Sequence, residues 1–331
     1  EKEKQISKDI ILEAIENSLL AACKNQFGKS ENIRVNIDRE TGEVKVFADY
    51  EVVEDDMIED DALQIGITEA KLRFRDDVEV GEKVSTEVTP KNFGRIAAQK
   101  AKQVVVQKIR EEERKVLYVQ YLEKEREVIT GIVQRYSGKN VCINLGRVDA
   151  ILMESEQVRG EHFRPTEHIK LYVVEVKDTP KGPRITVSRS HPEFVKRLFE
   201  EEVTEIQDGI VTIESIAREA GSRTKIAVST VDPNVDAVGA CVGMNGSRVN
   251  AIVNELRGEK IDIVNWSDMP EIFIENALSP AVVMDVSIDE YEKTARVIVP
   301  ENQLSLAIGK EGQNARLAAK LTGYKIDIKC E

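Results

Sequence analysis

Apolar positions near the start of the chain recur with a helical period. Ile11, Ile15 and Leu19 fall at i, i+4 and i+8, which predicts an amphipathic helix with Ser7 as its N-cap and Gly28 as its stop. The period then drops to two. Ile33, Val35 and Ile37 alternate with polar residues, as do Val44, Val46 and Ala48, and Glu40-Thr41-Gly42 between them predicts a β-hairpin. Val78 to Val84 returns as strand, closed by Thr89-Pro90. From about Gly94 into the region of Glu127 the helical period holds without a proline, and Ile96, Val104, Ile109 and Leu117 mark its apolar side. About 30 residues of helix would reach roughly 45 Å. Clean a/d heptads do not persist over it, so a connecting helix in a monomer is expected, with a coiled-coil dimer stem as the alternative.

Beyond Glu127 the period is two again. Five short strands are expected at Val128 to Gln134, Val141 to Leu145, Asp149 to Met153, Ile169 to Val176 and Arg184 to Ser188, punctuated by Gly131, Gly138, Gly146 and Gly182. That many strands in about 60 residues fits an OB-type barrel. Such barrels hold single strands on aromatic platforms with basic rims. Candidates are Tyr136, Arg147, His162, Phe163, Arg164 and Lys181. Platform aromatics are sparse, so weak RNA binding and a spacer role both stay open.

After His191-Pro192 the order helix–strand–strand–helix–helix–strand runs twice. The expected elements are Glu193 to Glu202, Ile210 to Ile216, Thr224 to Ser229, Val235 to Val242, Ser247 to Leu256 and Ile261 to Val264, then Pro270 to Leu278, Ala281 to Ser287, Ala295 to Val299, Asn302 to Ile308, Gln313 to Leu321 and Lys325 to Lys329. Each copy places Gly-x-x-Gly between its two later helices: Gly243-Met244-Asn245-Gly246 and Gly309-Lys310-Glu311-Gly312. Each also closes on G-x-K-I-D-I, from Gly258 and from Gly323, so the offset is 66 residues at the loops and 65 at the closing strands. Two glycines let a foreign backbone approach closely, and the loop opens a helix whose first N–H groups attract anions. Those features fit an RNA-binding KH module, which clamps about four nucleotides. A tight helix–turn–helix without ligand is the plain alternative, and repetition counts against it. The candidate RNA contacts are Gly243, Met244, Asn245, Gly246, Ser247 and Arg248 in the first copy. In the second they are Gly309, Lys310, Glu311, Gly312, Gln313, Asn314 and Arg316, with Glu311 expected to point away from the strand. The short join at Ser267-Asp268-Met269-Pro270 favours a fixed orientation of the two copies, and Trp266 is placed to pack there or to lie half-buried at a strand end.

With 331 residues, 41% hydrophobic and 32% charged, the chain has room for several cores. No apolar run approaches the roughly 20 residues that span a bilayer. No signal-like segment opens the sequence, and the cytoplasm is the expected compartment. Cys23, Cys142, Cys241 and Cys330 form no C-x-x-C pair and are expected to be reduced core thiols. His162, His168 and His191 do not pair with them at zinc-ligand spacing, so no metal and no cofactor is expected. Nucleotide P-loop, H-E-x-x-H and nucleophile-elbow patterns are missing, which argues against an enzyme. The net charge of −13 confines any nucleic-acid footprint to a local face. Acid concentrates at Glu51, Glu54, Asp55, Asp56, Glu59, Asp60 and Asp61, which suggests a solvated loop offered to a basic protein partner.

Several stretches carry a resemblance that covers essentially the whole chain. They are Val80-Gly81 through Thr89-Pro90, Asn92-Phe93-Gly94-Arg95-Ile96-Ala97-Ala98-Gln99-Lys100-Ala101-Lys102-Gln103-Val104, Gln107-Lys108-Ile109-Arg110, and Ser188-Arg189 with His191-Pro192-Glu193-Phe194. To these add Ala217-Arg218-Glu219 with Gly221-Ser222-Arg223-Thr224-Lys225-Ile226-Ala227-Val228, and Val238-Gly239-Ala240-Cys241-Val242-Gly243-Met244. In them the chain resembles the NusA family of bacterial transcription elongation and termination factors. The resemblance implies a multidomain α+β protein: an N-terminal α/β head with a long connecting helix (1–127) that binds core RNA polymerase, an S1 barrel (128–191), and two type II KH domains (192–268 and 269–331). It also implies nascent single-stranded RNA and other Nus factors as partners, and no membrane. Ala237 stands where the family's D-P-V-G-A-C run has proline, and Met244-Asn245 carry no charge for an electrostatic clamp. An S1 and KH protein of the ribosome or of RNA decay, without polymerase contact, is the alternative.

Overall fold

The alternation and helical periods are realised almost where the sequence places them, in a computed structural model that describes residues 8–27, 32–89 and 93–330. Ser7, Gly28 and Pro90, expected as a cap, a helix stop and a strand end, lie outside the described residues. The chain separates into one unit ending at Val116 and another beginning at Leu117.

In the first unit, α1 (Lys8–Phe27) buries Ile15, Leu19 and Cys23 in a core with Val35 and Ile37 of β1 (Ile33–Ile37) and Val46 of β2 (Val44–Val53). β1 and β2 form the expected hairpin, in register from Ile33↔Ala48 to Ile37↔Val44. Two further elements carry no strong period and were not anticipated: β3 (Gln64–Gly66), parallel to β2, and α2 (Ile67–Arg73). Asp55, from the acidic run, accepts hydrogen bonds from the Thr68 N–H at 3.1 Å and from the Thr68 hydroxyl, so this carboxylate serves the start of α2. The strand expected from Val78 starts only at Lys83 as β4 (Lys83–Glu87). Residues 79–82 turn instead: Gly81 has φ +89° and its N–H donates to the Val52 carbonyl at 2.7 Å. The long helix is α3 (Phe93–Leu122), and its Ala97, Ala101, Val104 and Val105 lie on this unit's core.

In the second unit the last turns of α3 set Leu117, Tyr118 and Tyr121 on a barrel, and the Tyr121 hydroxyl donates to the Leu145 carbonyl at 2.8 Å. The barrel closes in the order β5-β6-β7-β9-β8, from β5 (Val128–Ser137), β6 (Asn140–Asn144), β7 (Asp149–Leu152), β8 (His168–Lys177) and β9 (Arg184–Ser188). Gly131 is needed where β5 crosses the interior, since a Cβ there would sit 2.3 Å from Ile143 Cγ2.

Two copies of one α+β module follow. The first comprises α4 (Pro192–Glu202), α5 (Thr204–Gln207), β10 (Val211–Glu219), β11 (Arg223–Thr230), α6 (Ala237–Val242), α7 (Ser247–Glu255) and β12 (Lys260–Asn265). The second comprises α8 (Pro270–Ala277), β13 (Asp285–Asp289), β14 (Thr294–Val299), α9 (Leu304–Ile308), α10 (Gln313–Thr322) and β15 (Lys325–Cys330). In both sheets the first strand pairs antiparallel to the second and the third parallel to it. The short α5 was not foreseen, and β13 begins at Asp285, four residues after the expected Ala281. Cys23 and Cys241 are core thiols as expected, but Cys142 is half-buried and Cys330 exposed on an edge strand.

Buried ionic groups join the barrel to the first module. Arg189, 1% exposed, donates to both carboxylate oxygens of Glu161, to the Lys170 carbonyl, and to the side chain and backbone carbonyl of Glu255. Arg218 forks onto Glu259 at 2.8 and 2.9 Å and donates to the His191 carbonyl, while Glu259 also accepts from the Gly221 N–H and the Thr224 hydroxyl. Removing one partner of such a pair strands a charge without water, at a typical cost of about 3–5 kcal/mol. Arg218→Ala should therefore lower the unfolding free energy of the second unit by about that amount. Lys139→Ala, which breaks the exposed pair with Glu154, should leave the denaturation midpoint in place. Chemical denaturation followed by circular dichroism checks both.

Candidate nucleic-acid interface

The two Gly-x-x-Gly loops have the same backbone to within a few degrees. Gly243 has φ/ψ of 73°/172° and Gly309 77°/173°; Asn245 has 51°/29° and Glu311 53°/28°; Gly246 has 74°/17° and Gly312 74°/16°. Each loop is closed by the same two bonds. The first glycine's N–H donates back into the preceding helix, to Gly239 or Ser305, at 2.9 Å, and the second glycine's N–H donates to the first glycine's carbonyl at 3.1 Å. Gly246 and Gly312 are the N-caps of α7 and α10, and neither offers a side chain to the helix's first N–H groups. Those donors carry the positive end of the helix dipole.

The glycines have different duties. A Cβ on Gly309 would meet the backbone nitrogen of Asn314 at 2.7 Å, so this glycine lets α10 pack on its own loop. A Cβ on Gly312 would find only Arg316 Nη1, at 3.8 Å, leaving space through which another backbone can approach. In the second loop the freedom for close approach therefore belongs mainly to Gly312; in the first, a Cβ would crowd Arg248 at Gly243 (2.8 Å) and the Asn250 amide at Gly246 (3.0 Å).

Met244, Asn245 and Ser247 are exposed, as are Lys310 and Glu311, and Lys310 makes no ion pair among the described residues. The remaining candidates are committed within the fold. Arg248 donates to Glu205 at 2.7 Å and to the Ala240 carbonyl at 2.6 Å, binding α7 to α5 and α6. Asn314 requires correction as an RNA contact: it is 3% exposed and its amide donates to the carbonyls of Leu278 and Ala307. Gln313 and Arg316 turn toward the first module. Gln313 donates to Glu219 and Ser222 at 2.9 and 2.7 Å, and Arg316 forks onto Glu219 at 2.5 and 3.1 Å while donating to the Glu311 carbonyl at 3.0 Å. The Arg316 guanidinium, aided by Gln313, holds the Glu219 carboxyl down to about 2 against the opposing effect of its partial burial.

The modules share a core. Ala217, Ala227 and Val264, from the first sheet, belong to the cluster built around Phe273, Ile274 and Leu278 of α8 and Leu317 and Leu321 of α10. On the same face Lys225 is fully buried, donating to the Ser279 carbonyl at 2.9 Å with Asp262 Oδ2 at 3.1 Å. Burial pushes its ammonium pKa down and Asp262 acts in the opposite sense. Trp266, 39% exposed, tilts against Phe273 at 6.5 Å at the join. A groove of about 470 Å³ runs between the modules, with Arg223 and Lys260 on one side and Gly309, Lys310 and Gln313 on the other. Sequence reasoning passed over Lys225 and Glu219 as site-forming residues because their partners lie 37 to 97 positions away, beyond any local periodicity.

On the barrel, Phe163 is not a stacking platform. It is 4% exposed and lies beneath the guanidinium groups of Arg189 and Arg257. Tyr136 is 45% exposed with its hydroxyl accepting from the Phe163 N–H, and Arg147, His162, Arg164 and Lys181 are exposed. Among the described residues no helix is long and apolar enough to cross a membrane, and no cluster of His, Cys, Asp or Glu is arranged to hold a metal ion.

Comparison with known proteins gives three family matches: residues 1–115 to the NusA N-terminal domain, residues 189–266 to the NusA-like first KH domain, and residues 270–331 to the NusA-like second KH domain. The chain is 56% identical over 331 residues to the transcription termination/antitermination protein NusA of Bacillus subtilis, covering 100% of this chain and 88% of that one. It is 55% identical to the protein of the same name from Halalkalibacterium halodurans, covering 100% and 86%. It is 42% identical to that of Thermus thermophilus, covering 98% and 86%.

The unequal duties of the loop glycines set an order of stabilities. Both positions have positive φ, where a Cβ costs about 1–2 kcal/mol. Gly309→Ala adds a backbone collision and should lower the melting temperature distinctly more than Gly312→Ala, as differential scanning calorimetry will read. Equal losses would contradict the assignment.

Proposed function

The chain belongs to the NusA family, and from that membership we propose that it is a non-enzymatic transcription factor that binds core RNA polymerase and nascent single-stranded RNA. Through both it modulates elongation, pausing, termination and antitermination. The division proposed is a polymerase-binding head over 1–127, an S1 barrel over 128–191, and KH domains over 192–268 and 269–331. It acts as a monomer in the cytoplasm, with other Nus factors as further partners.

The observation that carries the RNA reading is the pair of loops with one backbone geometry on two modules that share a core. Each loop ends at an uncapped helix N-terminus suited to phosphate, and the groove between the modules is flanked by Arg223, Lys260 and Lys310. With about four nucleotides per KH module, one strand of roughly eight or more is the expected ligand. The exposed middle positions are the place to test it. Replacing Met244-Asn245 or Lys310-Glu311 by Asp-Asp puts negative charge beside phosphate without disturbing the core. Each variant should lose about 1–3 kcal/mol of RNA affinity, roughly ten- to hundredfold, with an unchanged circular dichroism spectrum. If both folded variants bind RNA as tightly as the parent, the loops are only structural turns.

The polymerase reading rests on the family and on the exposed carboxylates Glu54, Asp56, Glu59 and Asp61 of the first unit, which repel RNA and suit a basic protein surface. Reversing Asp56 and Glu59 to Lys should weaken capture of core RNA polymerase by the full chain and leave its RNA affinity unreduced. Undiminished capture sinks this assignment of the surface. Failure of the parent protein to bind polymerase favours the ribosome or RNA-decay reading.

A further inference from the structure

In both modules an arginine on the helix behind the Gly-x-x-Gly loop is held by a glutamate. Arg248 is held by Glu205 within the first module. The second pair crosses from one module to the other: Glu219, at the end of β10, takes the Nε and Nη2 donors of Arg316. The third arm of that guanidinium, Nη1, donates to the Glu311 carbonyl inside the loop. Glu219 also engages Gln313, the first residue of α10. Two long polar side chains at the mouth of the second loop are thus turned onto one carboxylate, and the groove beside them is lined by Arg223, Lys260 and Lys310 together with Asp262.

A carboxylate and a phosphate present the same fork to a guanidinium. Side chains 47% and 23% exposed make Arg316–Glu219 a weak strut, since ion pairs in contact with water contribute little to stability. The shared core and the buried Lys225 already join the modules without it. Its electrostatic effect on a ligand is larger, because it removes a cation from the loop mouth and leaves a carboxylate near the path of the strand. Every free arginine there would add a sequence-independent contact to any RNA.

We propose that Glu219 is a specificity-determining residue that competes with RNA phosphate for Arg316. It withholds a non-selective contact, so that binding depends on the loops and the groove. This rests on the reading that the loops bind RNA.

The test measures affinity of the full chain for an unstructured 12-nucleotide RNA by fluorescence anisotropy across a salt series. Glu219→Gln is isosteric, keeps one oxygen as acceptor, and removes the charge and the second oxygen of the fork that hold Arg316. It should tighten binding about three- to tenfold at low salt and steepen the slope of log K against log salt by about 0.7, the signature of one added phosphate contact on a single strand. In an Arg316→Ala background the same change should leave the slope unaltered and give only the smaller gain that comes from removing a carboxylate near phosphate. An unchanged or weaker affinity with the parental slope overturns the proposal, as does an equal gain or a steepened slope that persists without Arg316. A parent protein that does not bind the RNA overturns the loop reading itself, an outcome separate from either of these.

Discussion

One sheet face governs how the two KH modules are arranged. Lys225, Ala227, Ala217 and Val264 point away from the first KH module's own core and into the second module, with Asp262 beside Lys225. The small side chains of Ala217 and Ala227 let α10 approach the strands, and Lys225 reaches the carbonyl of Ser279 beyond α8. A buried ammonium with no alternative partners tolerates little displacement, because any shift leaves it without both water and acceptor. The second module therefore has a core continuous with the first module's sheet. Its position, and the spacing of its loop from the first loop, are consequences of the first module's sheet.

Charge is sorted to match. The molecule carries a net −13, yet the groove between the modules presents Lys260 and Lys310, with Arg223 paired to Asp262 at 3.5 Å on its wall. The arginines that would make the loops broadly adhesive are engaged internally, Arg248 by Glu205 and Arg316 by Glu219. What remains for a strand beside these groove cations is largely backbone: two helix N-termini and the open glycine position Gly312. Recognition built from dipoles and shape is less sensitive to salt than recognition built from many side-chain cations, and it discriminates more by the path of the strand.

Much of this architecture was legible before any coordinates. The barrel strands, the repeated order of elements and the loops follow from period, glycine placement and repetition, each a local property of the chain. Where local signals were weak the reading failed in understandable ways. β3 and α2 are short and adjoin an acidic run, with Ala70 the buried residue of α2. Val78 and Val84 are both buried and read as one strand, although a turn at Gly81 separates them. Asn314 looked like a polar helix start and is a buried amide tying together three chain segments. Phe163 looked like a platform and is buried beneath two arginines. The roles of Lys225, Glu219 and Arg189 depend on partners far away in sequence, so residue type and local spacing carried no trace of them.

The central claim is that the two loops act on one strand because the shared core holds them in one body. Affinity as a function of RNA length tests it most directly. In a ladder of unstructured RNAs from four nucleotides upward, binding to the full chain should rise gently at first. It should then rise steeply once the strand, at roughly eight nucleotides or more, spans both modules. The stoichiometry should stay at one strand per protein. A curve that levels off at the length of a single module, or two short strands bound independently and as tightly as one long one, would contradict the account.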